Sequence, residues 1–285
     1  MTLGYVSSVV PGKFLSMVAV AVFATAASSH AQDKPKVDKG AAKEGLDHLK
    51  EELGVNQFTT PSIGTVLAAL RELRPLAFDK VSRDLPDSIP ADRARLALNT
   101  GALIADGFLA VTAEKQSHLD DLGRLLIRHA KGLGVGDHIT RHNKSILEKA
   151  ATKDWDGIRS ELIATQRDVE KAMMALKDEE IAHLVALGGW LRGLEITATL
   201  VADQYSPERA ALIVQAPVLD YFVDRVATLN PSLKKTKLFT TLAAALGEIR
   251  KLAIKENAAP PAADDLKKIH QLARSIIALI ATPEE

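Results

Sequence analysis

The chain has no cysteine among its 285 residues, which excludes disulfide staples, thiolate metal sites, a thiol nucleophile and lipid attachment through sulfur. Aromatic residues are scarce at 4% while hydrophobic residues reach 47%, so Ala, Leu, Val and Ile must build the core. Net charge is lacking as well. With 36 basic side chains against 36 acidic ones, the chain has no cationic surplus to draw it to nucleic acid or an anionic membrane. No stretch alternates Val, Ile and aromatic residues with polar ones, so strands are not expected.

What is present starts with an export signal. Lys13 is the only charge before Asp33 and precedes an apolar run over residues 14–27. That run matches a signal-peptide core and falls short of the ~20 residues a spanning helix needs. Ser29-His30-Ala31 then places small residues where a signal peptidase reads, predicting cleavage before Gln32. Residues 1–31 are therefore expected to be a signal peptide and 32–45 a charged, flexible leader. Removing Lys13 with the signal leaves 35 basic against 36 acidic side chains on a soluble, periplasmic or secreted chain with no remaining membrane span. A chain of this length buries roughly 70–75% of its unfolded surface without covalent help, so residues 46–285 are expected to form one domain.

Helix signals recur through that domain. Thr60-Pro61, Ser206-Pro207 and Asn230-Pro231 place a capping side chain before a proline at the first helical position. Pro90 predicts another start, and Asp137, Asp154 and Asp264 are candidate caps. Ile63, Val66, Leu67, Leu70 and Leu73 make one helical stripe, and Leu238, Leu242, Leu246 and Ile249 another. Pro75 and Pro217 are expected to kink or divide their helices. The fold class is all-α: a bundle of eight to ten helices.

Residues 96–113 and 181–202 are apolar on nearly every side and predict two central helices surrounded by the others. Laying Gly107 on Gly193 aligns the two at an offset of 86 residues. The alignment suggests a pseudo-repeat, 94–175 and 180–256, and the extra glycines (Gly101, Gly188, Gly189) a close helix–helix contact.

The polar residues inside those segments need explaining. Asp106 has Ala102, Leu103, Leu109 and Ala110 as helical neighbours, so its carboxylate must be paired, hydrogen-bonded or protonated. Arg192 and Glu195, three apart, share a helix face. One expectation is a structural network with Arg192 bridging Asp106 and Glu195; the other is a ligand-binding polar pocket between the central helices. His138 and His142 stand four apart, the spacing that aims two imidazoles at one metal ion, and His129 is a candidate third ligand. The glutamate of the zinc-protease pattern is missing between them, and the helical projection puts the pair at the edge of the core, partly exposed.

Other templates fail. The glycine-rich stretch from Gly132 to Gly136 follows a helix and lacks the Lys-Ser/Thr of a phosphate loop. No G-x-S-x-G occurs, and the run Lys234-Lys235-Thr236-Lys237 has no interleaved aromatics. Trp155 and Trp190 read as packing anchors; Tyr205, Tyr221 and Phe222 read as packing residues too, with the lining of a groove between helices as the alternative. Residues 187–195 (LGGWLRGLE) resemble a motif of exported helical bacterial proteins of unassigned function, and residues 99–108 are similar to its companion. The resemblance implies export and helices, and no activity, cofactor or catalytic residue.

These features together point to an exported, non-enzymatic helical protein of the bacterial envelope that binds a small molecule or an envelope protein, or serves as a scaffold. Nucleic acid is not an expected partner. A second reading is a divalent-metal protein using His138, His142 and His129; apart from that metal no cofactor is expected. A third is an enzyme using Asp106 and Glu195 as an acid/base pair.

Overall fold

The computed structural model describes residues 63–66 and 68–282; the expected signal peptide, the expected leader and the expected Thr60-Pro61 cap lie outside the described residues. All regular structure among them is helical, as the periodicity predicts. Eight long helices carry the architecture: α1 (Arg93–Thr112), α2 (Gln116–Leu133), α3 (Gly136–Ala151), α4 (Trp155–Ala175), α5 (Glu179–Asp203), α6 (Ala216–Thr228), α7 (Lys237–Ala253) and α8 (Ala263–Ala281). Single-turn pieces such as Phe78–Val81 and Pro231–Lys234 link or precede them.

Several starts follow the expected chemistry. The Asp154 carboxylate accepts from the Gly157 N–H at 2.9 Å, Ser206 from Arg209 at 3.2 Å and Asn230 from Ser232 at 2.9 Å, each satisfying an orphan donor of the first turn. Others differ. The helix expected at Pro90 begins at Arg93, where Asp92 accepts from the Arg95 N–H and makes the stronger cap. Asp137 and Asp264 lie within first turns, behind Val135 and Ala262 at the N-cap, and there complement the helix dipole. Pro217 opens α6 instead of kinking it, because its missing N–H is an orphan at that position anyway. Pro75 does divide short helices, Ala69–Glu72 from Phe78–Val81.

The turn between α4 and α5 carries no glycine or proline signal. Lys177 takes φ 58° there, a left-handed conformation that L-residues adopt at a cost, and Glu114 does the same after α1. Gly134, at φ 83°, ends α2 in the ordinary way.

Helices α1 and α5 are the two central helices. Every residue of α1 from Ala94 to Thr112 is buried, as is most of α5. By length and hydropathy both could cross a membrane, yet both lie enclosed in protein. They pack on each other at a crossing made by glycines: a Cβ on Gly101 would fall 1.8 Å from the Val185 carbonyl oxygen, and one on Gly188 would fall 1.9 Å from that of Leu98. Gly107, by contrast, meets only the Leu162 side chain at 3.5 Å. Around this pair, α2, α4 and α8 pack on α1, and α4 and α8 also on α5; α3 joins α2 to α4, and α7 joins α6 to α8. Arg95 and Asn99, both buried on α1, donate to the last carbonyls of α8, including Leu279 and Ile280. That bond set satisfies the end of α8 and ties it to the centre.

Candidate functional site

The close glycine crossing brings Asp106 of α1 beside Arg192 of α5. Arg192 is 2% exposed and Asp106 6%. The Arg192 Nε–H donates to Asp106 Oδ1 at 2.7 Å, Nη1 to Glu195 Oε2 at 2.7 Å, and Nη2 to the Val81 carbonyl at 2.5 Å. Arg192 therefore bridges the two acids, as the structural expectation has it. Asp106 and Arg192 are 86 residues apart, so the alignment of the two central segments puts the bonded acid and base at equivalent positions.

A second arginine completes the network. Arg83 donates through Nε to Asp106 Oδ2 at 2.9 Å, so both oxygens of that carboxylate face guanidinium groups. Two arginines against two carboxylates leave the cluster without net charge, the condition under which ionised groups survive burial. Burial opposes the charge on Arg192, but Asp106 and Glu195 outweigh it and hold the guanidinium pKa above its ordinary value. Arg83 gives no signal in the sequence: it sits in a polar, irregular stretch, and only the path of residues 82–92 over the bundle brings it to Asp106.

Removing Arg192 leaves Glu195 and the Val81 carbonyl without their donor, and Asp106 with Arg83 alone. We expect Arg192→Met to lower the unfolding free energy by about 3 kcal/mol or more. Urea titration measures this directly, and a parental midpoint would show that the network contributes nothing.

A cavity of about 330 Å³ opens beside the network, between α5, α8 and residues 80–84. Arg192 and Glu195 form its floor, with Arg83, His270, Arg274 and Ile277 around it. Burial pushes the His270 pKa down and Arg274 adds to that, while Glu195 works the other way. Asp106 does not line the cavity, because Arg83 and Arg192 cover it. A larger groove of about 890 Å³ runs between residues 83–87 and α2, but its charges other than Arg83 belong to exposed side chains such as Asp87, Asp121 and Arg128.

The expected metal site is corrected by the structure. Among the described residues no group of three or more His, Asp or Glu side chains is placed to hold a metal ion. His142 is buried, not partly exposed: α4 covers it, placing Glu161 Oε1 at 2.6 Å from Nδ1 and Asp168 Oδ2 at 3.0 Å from Nε2. Both ring nitrogens thus face carboxylate oxygens of α4, and neither points into open space where a metal ion could sit. His138 is exposed, beside Arg141 and Lys171. His129 is 0% exposed against α1, where its Nδ1 lies 3.4 Å from the Thr100 hydroxyl.

The carboxylates around His142 are shifted. Burial works against charge on Glu161, but hydrogen bonds from His142, Ser145 and Lys149 lower its pKa below the usual value. At Asp168 the His142 hydrogen bond leads, with Arg141 and Lys171 adding to it, and the pKa is again lowered. The cluster thus fastens α3 to α4.

The aromatic residues are packing elements in part. Trp190 and Phe222 are buried with ring centroids 5.5 Å apart, and the Trp190 indole donates to Gln215. Tyr221 shares a 2.6 Å hydrogen bond with His183, whereas Tyr205 is 39% exposed and donates to the Pro261 carbonyl. Comparison with family models, curated proteins and solved structures returns no match, so the chemistry of the cavity has to be read from its own residues.

Proposed function

We propose that this chain is an exported, soluble, non-enzymatic helical protein of the bacterial envelope that binds a small molecule between α5 and α8. The observation that carries this reading is the cavity of about 330 Å³ that reaches the buried Arg192–Glu195 pair. Its size lies in the range of small-ligand pockets, and charged groups of both signs converge on it beside the apolar Val81, Ile277, Ala278 and Ala281. The acid/base alternative needs Asp106 and Glu195 at one reacting centre. Asp106 is instead held on both oxygens by guanidinium groups, away from the cavity and out of reach of a substrate there.

Native mass spectrometry of protein isolated from the periplasm tests the reading. The expected species starts at Gln32 and carries a small molecule that is lost from Ala278→Trp, in which an exposed residue at the cavity rim is enlarged to fill the space. An uncleaved, intracellular chain overturns export. An unchanged ligand load in Ala278→Trp overturns the assignment to this cavity.

A further inference from the structure

The structure points to a class of ligand for this cavity: we propose that it recognises a small zwitterion of the amino-acid type, with its carboxylate at Arg274 and its ammonium group at Asp84 and the open oxygen of Glu195. The proposal rests on the binding reading above and adds the chemistry of the occupant.

The argument is an inventory of what the cavity wall leaves unmatched. Arg83 and Arg192 are balanced by Asp106 and Glu195, and Lys80 is bonded to Asp203 at 2.7 Å. Arg274 and Asp84 remain, one of each sign, and neither forms an ion pair within the described residues. A wall of this composition has no surplus of either charge. A multiply charged anion such as phosphate would find too little cation, and a simple amine would leave Arg274 unmatched. A ligand that is neutral overall but carries both signs matches the wall.

Hydrogen-bonding capacity gives the same division. A guanidinium has five N–H donors, and Arg192 uses three of them on Asp106, Glu195 and Val81. Arg83 Nη2 is closed off from the cavity and lies 2.8 Å from Asp106 Oδ2, so Arg83 is spent on Asp106 and Arg274 is the guanidinium left for a ligand. A carboxylate supplies two oxygens in the geometry a guanidinium fork takes up. On the other side, Glu195 spends Oε2 on Arg192, while Oε1 has no donor among the described residues. An ammonium group is the donor that a carboxylate oxygen holds most strongly. The rest of the wall sets Val81, Ile277, Ala278 and Ala281 beside Ser82, Thr199 and His270, and the four apolar residues accommodate a short aliphatic side chain. Partly desolvated surroundings strengthen both charge contacts relative to water.

The test uses the mature full chain and calorimetric titration with L-amino acids, starting with L-leucine for the apolar wall. Each amino acid that binds is then compared with its deaminated acid and its decarboxylated amine. For leucine these are 4-methylpentanoate and 3-methylbutylamine. At least one amino acid should bind, and both of its analogues should bind roughly tenfold more weakly or worse, since each lacks one charge-assisted contact. Arg274→Gln, an exposed position outside the buried network, should weaken the amino acid to a similar degree and leave the amine analogue unchanged. Equal binding of amino acid and analogues, indifference to Arg274→Gln, or no amino acid bound at all each overturns the zwitterion assignment. The two readings fail separately. A co-purified ligand of another class that Ala278→Trp removes sinks the zwitterion and leaves the binding site standing.

Discussion

Acidification from pH 7 to about 4.5 should cost this protein a large part of its stability, before the hydrogen-bonded carboxylates Glu161 and Asp168 are protonated. Burial, aided by Arg128, pushes the pKa of His129 down from 6.5 to about 4, and burial with Arg225 does the same to His183. In the unfolded chain both titrate near 6.5. Between about pH 6.5 and 4 the unfolded state therefore binds protons that the folded state refuses, and stability falls as the pH falls through that window. For His129 a fall from 6.5 to about 4 corresponds to about 3 kcal/mol. His183 is partly exposed, so solvent screens it and it adds about 2 kcal/mol. The pair amounts to roughly 5 kcal/mol against a typical total of about 5–15 kcal/mol. The carboxylates add a second loss at lower pH. Glu161 and Asp168 have depressed pKa values, so their contribution is present above the unfolded values near 4 and disappears as the pH drops through the folded ones.

Urea unfolding at pH 7.0, 5.5 and 4.5 measures the slope, expected to approach two protons taken up per molecule unfolded. His129→Leu, which replaces a buried ring with an apolar side chain, should remove about half of it. A flat profile across this range would show that the two rings carry protons in the folded state, against the burial on which the argument stands.

The second large effect lies at the helix crossing. Gly101→Ala places a methyl group 1.8 Å from the Val185 carbonyl oxygen and 2.6 Å from the Gly189 nitrogen, and both of those atoms belong to backbone that cannot rotate away. Helices α1 and α5 would have to separate by more than an ångström. That would open the most extensive packing contact in the molecule and lengthen the Asp106–Arg192 bond that depends on it. Ordinary overpacking costs about 1–3 kcal/mol, and a clash against backbone should exceed that, so destabilisation of about 3 kcal/mol or more is expected. Gly188→Ala should behave the same way, with its methyl 1.9 Å from the Leu98 carbonyl oxygen. Gly247→Ala is the internal control. It lies within α7 with nothing within 4 Å of the added carbon, so helix propensity alone should stabilise the protein by about 0.5–1 kcal/mol. Thermal melts of the three variants test the contrast. A Gly101→Ala protein as stable as the parent would mean that the two helices do not cross as closely as described.

Much of this fold was legible in the residues. The apolar runs around Leu96 and Ile181 named the central helices because a helix without a polar face has nowhere stable to lie except among other helices. Gly101, Gly188 and Gly189 pointed to a close crossing because helical glycine is costly unless it admits a neighbour. The charged residues of those helices, Asp106 and Arg192, were read as partners because isolated charge cannot stay buried. The histidines were less legible. The spacing of His138 and His142 is a local property, but what each ring meets is set by α4, and α4 supplies carboxylates that occupy both nitrogens of His142.

The sequence by itself determined the helical class and the two central segments and made the pairing of Arg192 with its two acids one of two expectations, since periodicity, turn chemistry and the cost of burying charge all act over a few residues or through a single rule. Only the tertiary structure decided that Arg83 joins the network, that Arg95 and Asn99 hold the end of α8, and that a cavity opens beside Glu195 and Arg274. Each of these depends on where an irregular segment or a helix end comes to rest on the bundle, and the packing of distant elements settles that position without leaving a pattern in the sequence nearby.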